Sequence, residues 1–97
     1  MNGVEKQWYL YIVRSGDGSL YTGITLDVSR RFDEHRGVGG ATYKGAKSLR
    51  GKEPLSLVFQ QIVGNRSRAS QFEYKVKKLR RIEKEALVDK TLALESL

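Results

Sequence analysis

Five side chains in this sequence are of types that together can break a phosphodiester: Tyr11, Tyr21, Arg31, His35 and Glu73. A tyrosine can move a proton, an arginine can grip two phosphate oxygens with its planar fork, and a glutamate is a hard oxygen ligand for a divalent cation. A free phenol has a pKa near about 10 and is a poor base at neutral pH. A nearby cation such as Arg31 or a metal ion favours the phenolate and lowers that value. A single carboxylate suits magnesium, which often takes one or two protein carboxylates beside water and substrate phosphate. It disfavours a two-metal centre, which needs several acids. Each residue also has a plainer reading. Tyrosines pack well in strands, Arg31 could pair with Asp27 one turn before it, and Glu73 with Lys77 one turn after it. A lone histidine beside an apolar stripe is commonly a satisfied structural residue.

The elements that must position these groups are legible in outline. Trp8 to Arg14 is aromatic and β-branched and predicts a strand. Ser15 to Ser19 is a Gly/Asp turn, and Leu20 to Thr25 a second strand, giving an antiparallel hairpin. Alternation sends Trp8, Leu10 and Ile12 to one face, where Leu20 and Ile24 can join them, and Tyr9, Tyr11 and Val13 to the other. With the turn centred near Asp17, Tyr11 lies opposite Gly23 and Tyr21 shares its face, so a gap opens where Gly23 has no side chain. Asp27 predicts an N-cap for a helix over 28–36, with Val28 and Phe32 as its buried stripe and Arg31 and His35 sharing the adjacent face. Gly37 to Gly51 reads as a mobile glycine loop that cannot bury itself. Leu55 to Ile62 predicts a third strand. Arg68 to Leu79 predicts a helix with Ala69, Phe72, Val76 and Leu79 inward and Glu73 flanking, and Ile82 to Leu94 predicts a last helix.

The chain of 97 residues suits one small domain, 1–97, with a core over about 8–88. No cysteine excludes disulfides and thiolate metal sites, and one histidine leaves little for an imidazole-based site. No apolar run approaches the roughly 18–20 residues of a membrane span, and the first residues lack a secretory signal. A cytoplasmic protein is expected. The net charge is +7. Five basic residues and no acid lie between Arg36 and Lys52, and eight basic residues against two acids between Arg66 and Lys84. That clustering is a footprint of nucleic-acid binding. Arg30, Lys44, Lys47, Arg50, Lys75 and Lys77 are the candidate phosphate contacts.

In this order, hairpin, Arg/His helix, third strand and Glu helix, the chain resembles the GIY-YIG nuclease family, in particular its small single-domain bacterial members. The resemblance runs from Trp8 to Val88. Tyr9-Leu10-Tyr11 stands at the first motif and Tyr21-Thr22-Gly23 at the second, and only the tyrosine ending the first and the tyrosine and glycine of the second match the family's name. Gly23-Ile24-Thr25, Asp27-Val28, Arg30-Arg31, His35 and Glu73-Tyr74-Lys75-Val76-Lys77 follow in the family's order. The resemblance implies an α+β fold, a three-stranded mainly antiparallel sheet flanked by helices. It also implies metal-dependent endonuclease action on DNA, more than on RNA, with weak sequence specificity or specificity supplied by a protein partner. Tyr21 would be the general base or orient the attacking water, and Tyr11 would hold that network or touch the phosphate. Arg31 would stabilise phosphate charge, His35 would assist the protons, and Glu73 would bind one Mg2+ or Mn2+. Relatives place an asparagine after the metal helix. Here Arg81-Ile82-Glu83-Lys84-Glu85 has none, and no role is assigned there.

Two other functions compete. A nucleic-acid-binding module without catalysis would use the same basic patches, and its binding would survive a chelator and weaken with salt. An adaptor for an acidic protein would show no salt-sensitive binding to oligonucleotides. The nuclease reading requires the tyrosine face, the Arg31 helix and the Glu73 helix to converge on one shallow cleft.

Overall fold

The computed structural model describes residues 6–38 and 42–97. Strand β1 (Trp8–Arg14) turns into β2 (Leu20–Thr25), helix α1 (Val28–Arg36) follows, and β3 (Ser56–Gly64) leads into α2 (Arg66–Lys77) and α3 (Arg81–Val88). The sheet order is β2-β1-β3, with β1 antiparallel to both neighbours. The fold is therefore α+β, as expected.

Because β1 is central, its alternating side chains feed two separate layers. Leu10 and Ile12 point to one side and meet Phe59 and Val63 of β3, Ala69, Phe72 and Val76 of α2, and Leu87 of α3. Tyr11 and Val13 point to the other side and meet Val28 of α1 and Leu49, with Tyr21 and Phe32 partly buried around them. Helix α1 thus covers one face and α2 with α3 the opposite face. The register puts Tyr11 opposite Gly23 and Val13 opposite Tyr21, as alternation predicts. The turn centres on Asp17, whose carboxylate accepts from Ser15 Oγ at 2.6 Å, Ser19 Oγ at 2.7 Å and the Ser19 amide at 3.0 Å.

Local chemistry sets the boundaries. Asp27 caps α1 by accepting from the Arg30 amide at 3.1 Å, and Gly37, with φ of 74°, closes the helix in the left-handed region. Helix α2 starts two residues earlier than apolar spacing suggests, because the Asn65 side chain accepts from the Arg68 amide at 2.9 Å. The third strand is shifted to Ser56–Gly64. The last helix stops at Val88 instead of reaching Leu94. There Asp89 accepts from Thr91 Oγ1 at 2.6 Å in a turn, and Leu94 returns to the core in a short 3-10 segment, Leu94–Ser96. Arg14 grips Glu85 with two nitrogens at 2.7 and 2.8 Å and ties β1 to α3.

Gly39, Gly40 and Ala41 lie outside the described residues. The rest of the glycine loop overturns the expectation that it cannot bury itself. A 3-10 turn at Lys47–Leu49 delivers Leu49, only 2% exposed, into the tyrosine-side layer. One leucine in a basic glycine-rich run is enough to pin the segment, since burying it stabilises by roughly 1.5–3 kcal/mol.

Truncating Phe72 to alanine is expected to cost about 3–5 kcal/mol, since the ring is buried in the α2-side layer. Phe32 is only half-buried, so Phe32→Ala should cost distinctly less. Denaturant unfolding of both variants checks this, and equal costs would contradict the layer assignment.

Candidate active site

The hairpin, α1 and the loop after it bring four of the five candidate residues together. Tyr11 and Tyr21 project from the same face of adjacent strands, with ring centroids 6.3 Å apart. Tyr11 can lie across its neighbour only because Gly23 has no side chain: a Cβ there would stand 2.5 Å from the Tyr11 hydroxyl. His35, in the last turn of α1, is fully buried, and its ring stands edge-on to Tyr21 with centroids 5.2 Å apart. Its Nε2 lies 2.7 Å from the Tyr11 hydroxyl.

The hydrogen bonds of His35 settle its proton. The Ala46 backbone N–H donates to Nδ1 at 3.1 Å, so Nδ1 carries a lone pair. Burial first, then the Arg31 cation, pushes the imidazole pKa down to about 4, against a weaker upward pull from Glu34. At neutral pH the ring is therefore neutral with its hydrogen on Nε2, and it donates to Tyr11. Tyr11 then keeps its own proton for an acceptor other than His35. Burial and the neighbouring Tyr21 raise the Tyr11 pKa, and the lowering effect of Arg31 does not overcome them. The expectation that nearby cations bring a tyrosine down toward neutrality fails for Tyr11, because desolvation of a phenol only 1% exposed outweighs one guanidinium. Tyr11 is almost wholly buried. Tyr21, half-buried, is the more accessible phenol.

Arg31 is braced. Its Nη1 donates to Glu34 Oε1 at 2.8 Å and to the Lys44 carbonyl at 2.9 Å. Its ionic partner is Glu34, three residues on, and not Asp27, whose carboxylate caps the helix instead. In return Arg31 holds the Glu34 carboxyl below its usual range. Glu34 and the Tyr43–Ala46 segment escape sequence reasoning. The i,i+3 spacing of Arg31 and Glu34 was the available signal for the first, and a lone tyrosine in a glycine-rich run the only one for the second.

Glu73, the fifth candidate, comes from α2. It lies beside Phe72 on α2, whose stripe packs on the Leu10 and Ile12 side. Its carboxylate pairs with Lys77 at 3.1 Å. Helix α2 packs over the sheet, against β2 and β1 more than β3. Among the described residues no three His, Cys, Asp or Glu side chains form a metal-binding group.

The candidate phosphate contacts divide between the two faces. Arg30 is exposed and 3.9 Å from Glu34. Lys44, Lys47 and Arg50 are exposed on the loop, Arg50 over the Tyr43 ring at 5.7 Å. Lys75 and Lys77 are exposed on α2, where Lys75 Nζ donates to the Leu97 carbonyl at 3.2 Å. A groove of about 530 Å³ runs along α1 past Arg30 and Lys44, but Asp27, Asp33 and Glu34 also line it. Its mixed charge makes it a poorer phosphate seat than the loop's exposed cations. No described helix is long and apolar enough to cross a membrane.

A hairpin that aligns two tyrosines over a glycine, followed by an Arg/His helix, defines a GIY-YIG-type domain, a member of the nuclease superfamily. The family model for the GIY-YIG catalytic domain matches residues 7–86, and the chain belongs to that family. It is 51% identical over 90 residues to the UPF0213 protein YhbQ of Salmonella arizonae, covering 93% of this chain and 85% of that one. It is 56% identical over 81 residues to the UPF0213 protein SG0387 of Sodalis glossinidius, covering 84% and 71%. The solution structure of the UPF0213 protein BH0048 from Bacillus halodurans superimposes with a TM-score of 0.53 at 41% identity, covering 86% of this chain and 83% of that one. That of protein EF2693 from E. faecalis does so with 0.60 at 32%, covering 90% and 88%.

Proposed function

We propose that this protein is a metal-dependent endonuclease that hydrolyses DNA phosphodiesters with weak sequence specificity. The observation that carries the reading is the cluster of Tyr11, Tyr21, His35 and Arg31 on one face of the sheet. In it, His35 donates to Tyr11 and holds that phenol in place. Tyr11, kept protonated, leaves Tyr21 as the group that, once its own proton has passed to solvent, takes the proton from the attacking water as the phenolate. Two phenolates side by side would repel, so only one of the pair can carry the charge. Arg31 stabilises the charge that develops on the phosphate oxygens. The exposed cations of the loop and of α2 hold flanking phosphates and carry no base information, which accounts for weak specificity.

The donor set is compatible with magnesium or manganese held by Glu73. One carboxylate with water and substrate phosphate suffices for such an ion, and a helical i,i+4 ion pair such as Glu73–Lys77 is worth only about 0.3–0.5 kcal/mol, so Lys77 is readily displaced. When bound, the ion would supply charge to the phosphate and leaving oxygen. A binding module without cleavage is the second reading, favoured by the Glu73–Lys77 pair itself.

Incubation with duplex, nicked, branched and single-stranded DNA and with RNA, with magnesium or manganese or with chelator, separates the two. Product strands that require the ion support the nuclease. Salt-sensitive binding that persists in chelator, with no product on any substrate, supports the binding module and defeats the proposal.

A further inference from the structure

Resting on the nuclease reading above, we propose that Tyr43–Ala46 is a strap that positions the reaction's proton and phosphate groups, with Ala46 and Tyr43 as its positioning residues. Two backbone groups of the strap reach into the site from outside α1. The Ala46 N–H donates to His35 Nδ1 at 3.1 Å, and the Lys44 carbonyl accepts from Arg31 Nη1 at 2.9 Å. The strap is in turn held closed by its own aromatic residue, because the Tyr43 hydroxyl donates to the Ala46 carbonyl at 3.0 Å. Its close approach depends on Gly45. A Cβ there would stand 2.5 Å from the His35 Cα and press on the Tyr43 hydroxyl.

The consequence is chemical as well as steric. An imidazole has two neutral tautomers, and the hydrogen bond made by one nitrogen decides what the other can do. With Ala46 donating to Nδ1, Nε2 must be the donor to Tyr11. Without that N–H, His35 can carry its hydrogen on Nδ1, accept from Tyr11, and capture the phenol proton that the site otherwise keeps free. The same few residues fix one arm of Arg31, so proton routing and phosphate grip are set together. Both groups answer to a segment whose exposed lysines, Lys44 and Lys47, are candidate nucleic-acid contacts.

The chain has one histidine, so its imidazole nitrogens can be read without ambiguity by 15N NMR of the intact protein at neutral pH. The wild type should show a bare Nδ1 and a protonated Nε2. Ala46→Pro removes the donor at a residue whose φ of −68° proline can adopt, and it places the ring Cδ where the N–H pointed, so His35 must also give way. It should give mixed tautomers and a cleavage rate constant lower by about 10–100-fold, with nucleic-acid affinity within about twofold of wild type. Tyr43→Phe leaves the N–H in place and loosens it. It should fold normally and show partial tautomer mixing with a smaller rate loss. A protonated Nδ1 in the wild type, or a wild-type tautomer in Tyr43→Phe, overturns the proposal. Those NMR outcomes do not depend on cleavage, so a protein that cuts nothing would sink the nuclease reading and leave the strap standing.

Discussion

Arg31→Ala is expected to lower the single-turnover cleavage rate by about 1,000-fold, roughly 4 kcal/mol of transition-state stabilisation, while nucleic-acid affinity changes little. The size follows from preorganisation. Arg31 is half-buried, with Glu34 and the Lys44 carbonyl fixing one arm, so little ordering remains for the reaction to supply. An exposed, freely rotating arginine would contribute far less. Arg31→Lys should recover only part of the rate, because an ammonium is a point charge and cannot reproduce the fork. Stability should fall by no more than about 1 kcal/mol, since Glu34 remains partly solvated. Rate and affinity measured on the same substrate decide the matter. An alanine variant cutting within about threefold of wild type would remove Arg31 from the mechanism.

Glu73→Gln should abolish ion-dependent cleavage, with a loss on the order of 1,000-fold at saturating magnesium, because the ion is asked to supply several kcal/mol of charge stabilisation. Glutamine keeps the shape and removes the charge, so folding should survive, and Glu73→Ala should behave alike. Calorimetric titration with manganese in the presence of uncleaved substrate should show binding to wild type and none to the variant. The observed partner of Glu73 is Lys77. If Glu73→Gln cleaves like wild type under the same ion concentrations, the carboxylate is only half of a surface ion pair.

Much of the tyrosine side was legible because strand alternation has a period of two and a turn fixes its phase. Once Asp17 is the pivot, Tyr11 must oppose Gly23 and Tyr21 must share its face, and both do. The α1 cap was legible for a similar reason, since an aspartate before a Val/Phe stripe has one local meaning. Helix ends were less so: Asn65 and the Asp89–Thr91 turn move them by side-chain hydrogen bonds that apolar spacing does not register. The layer that each helix covers was not legible. Local patterns say which residues share a stripe but not which face of the sheet the stripe covers. Strands β2 and β3 run parallel with β1 between them, and the handedness of such a crossover is what selects the face for α1. Sequence gives no strand order, so that rule could not be applied. The burial of His35 was equally out of reach, because it depends on Ala46, eleven residues away across a glycine-rich loop.

Strand β1 is the wall between two hydrophobic compartments that share no side chains. In the proposed enzyme, the proton is handled from the hairpin and α1 and the ion is held from α2, and the two helices pack into different compartments. Neither half can be tuned by adjusting its own packing alone. The stiffness of three short strands, more than any single contact, then decides whether both halves reach the same phosphorus atom.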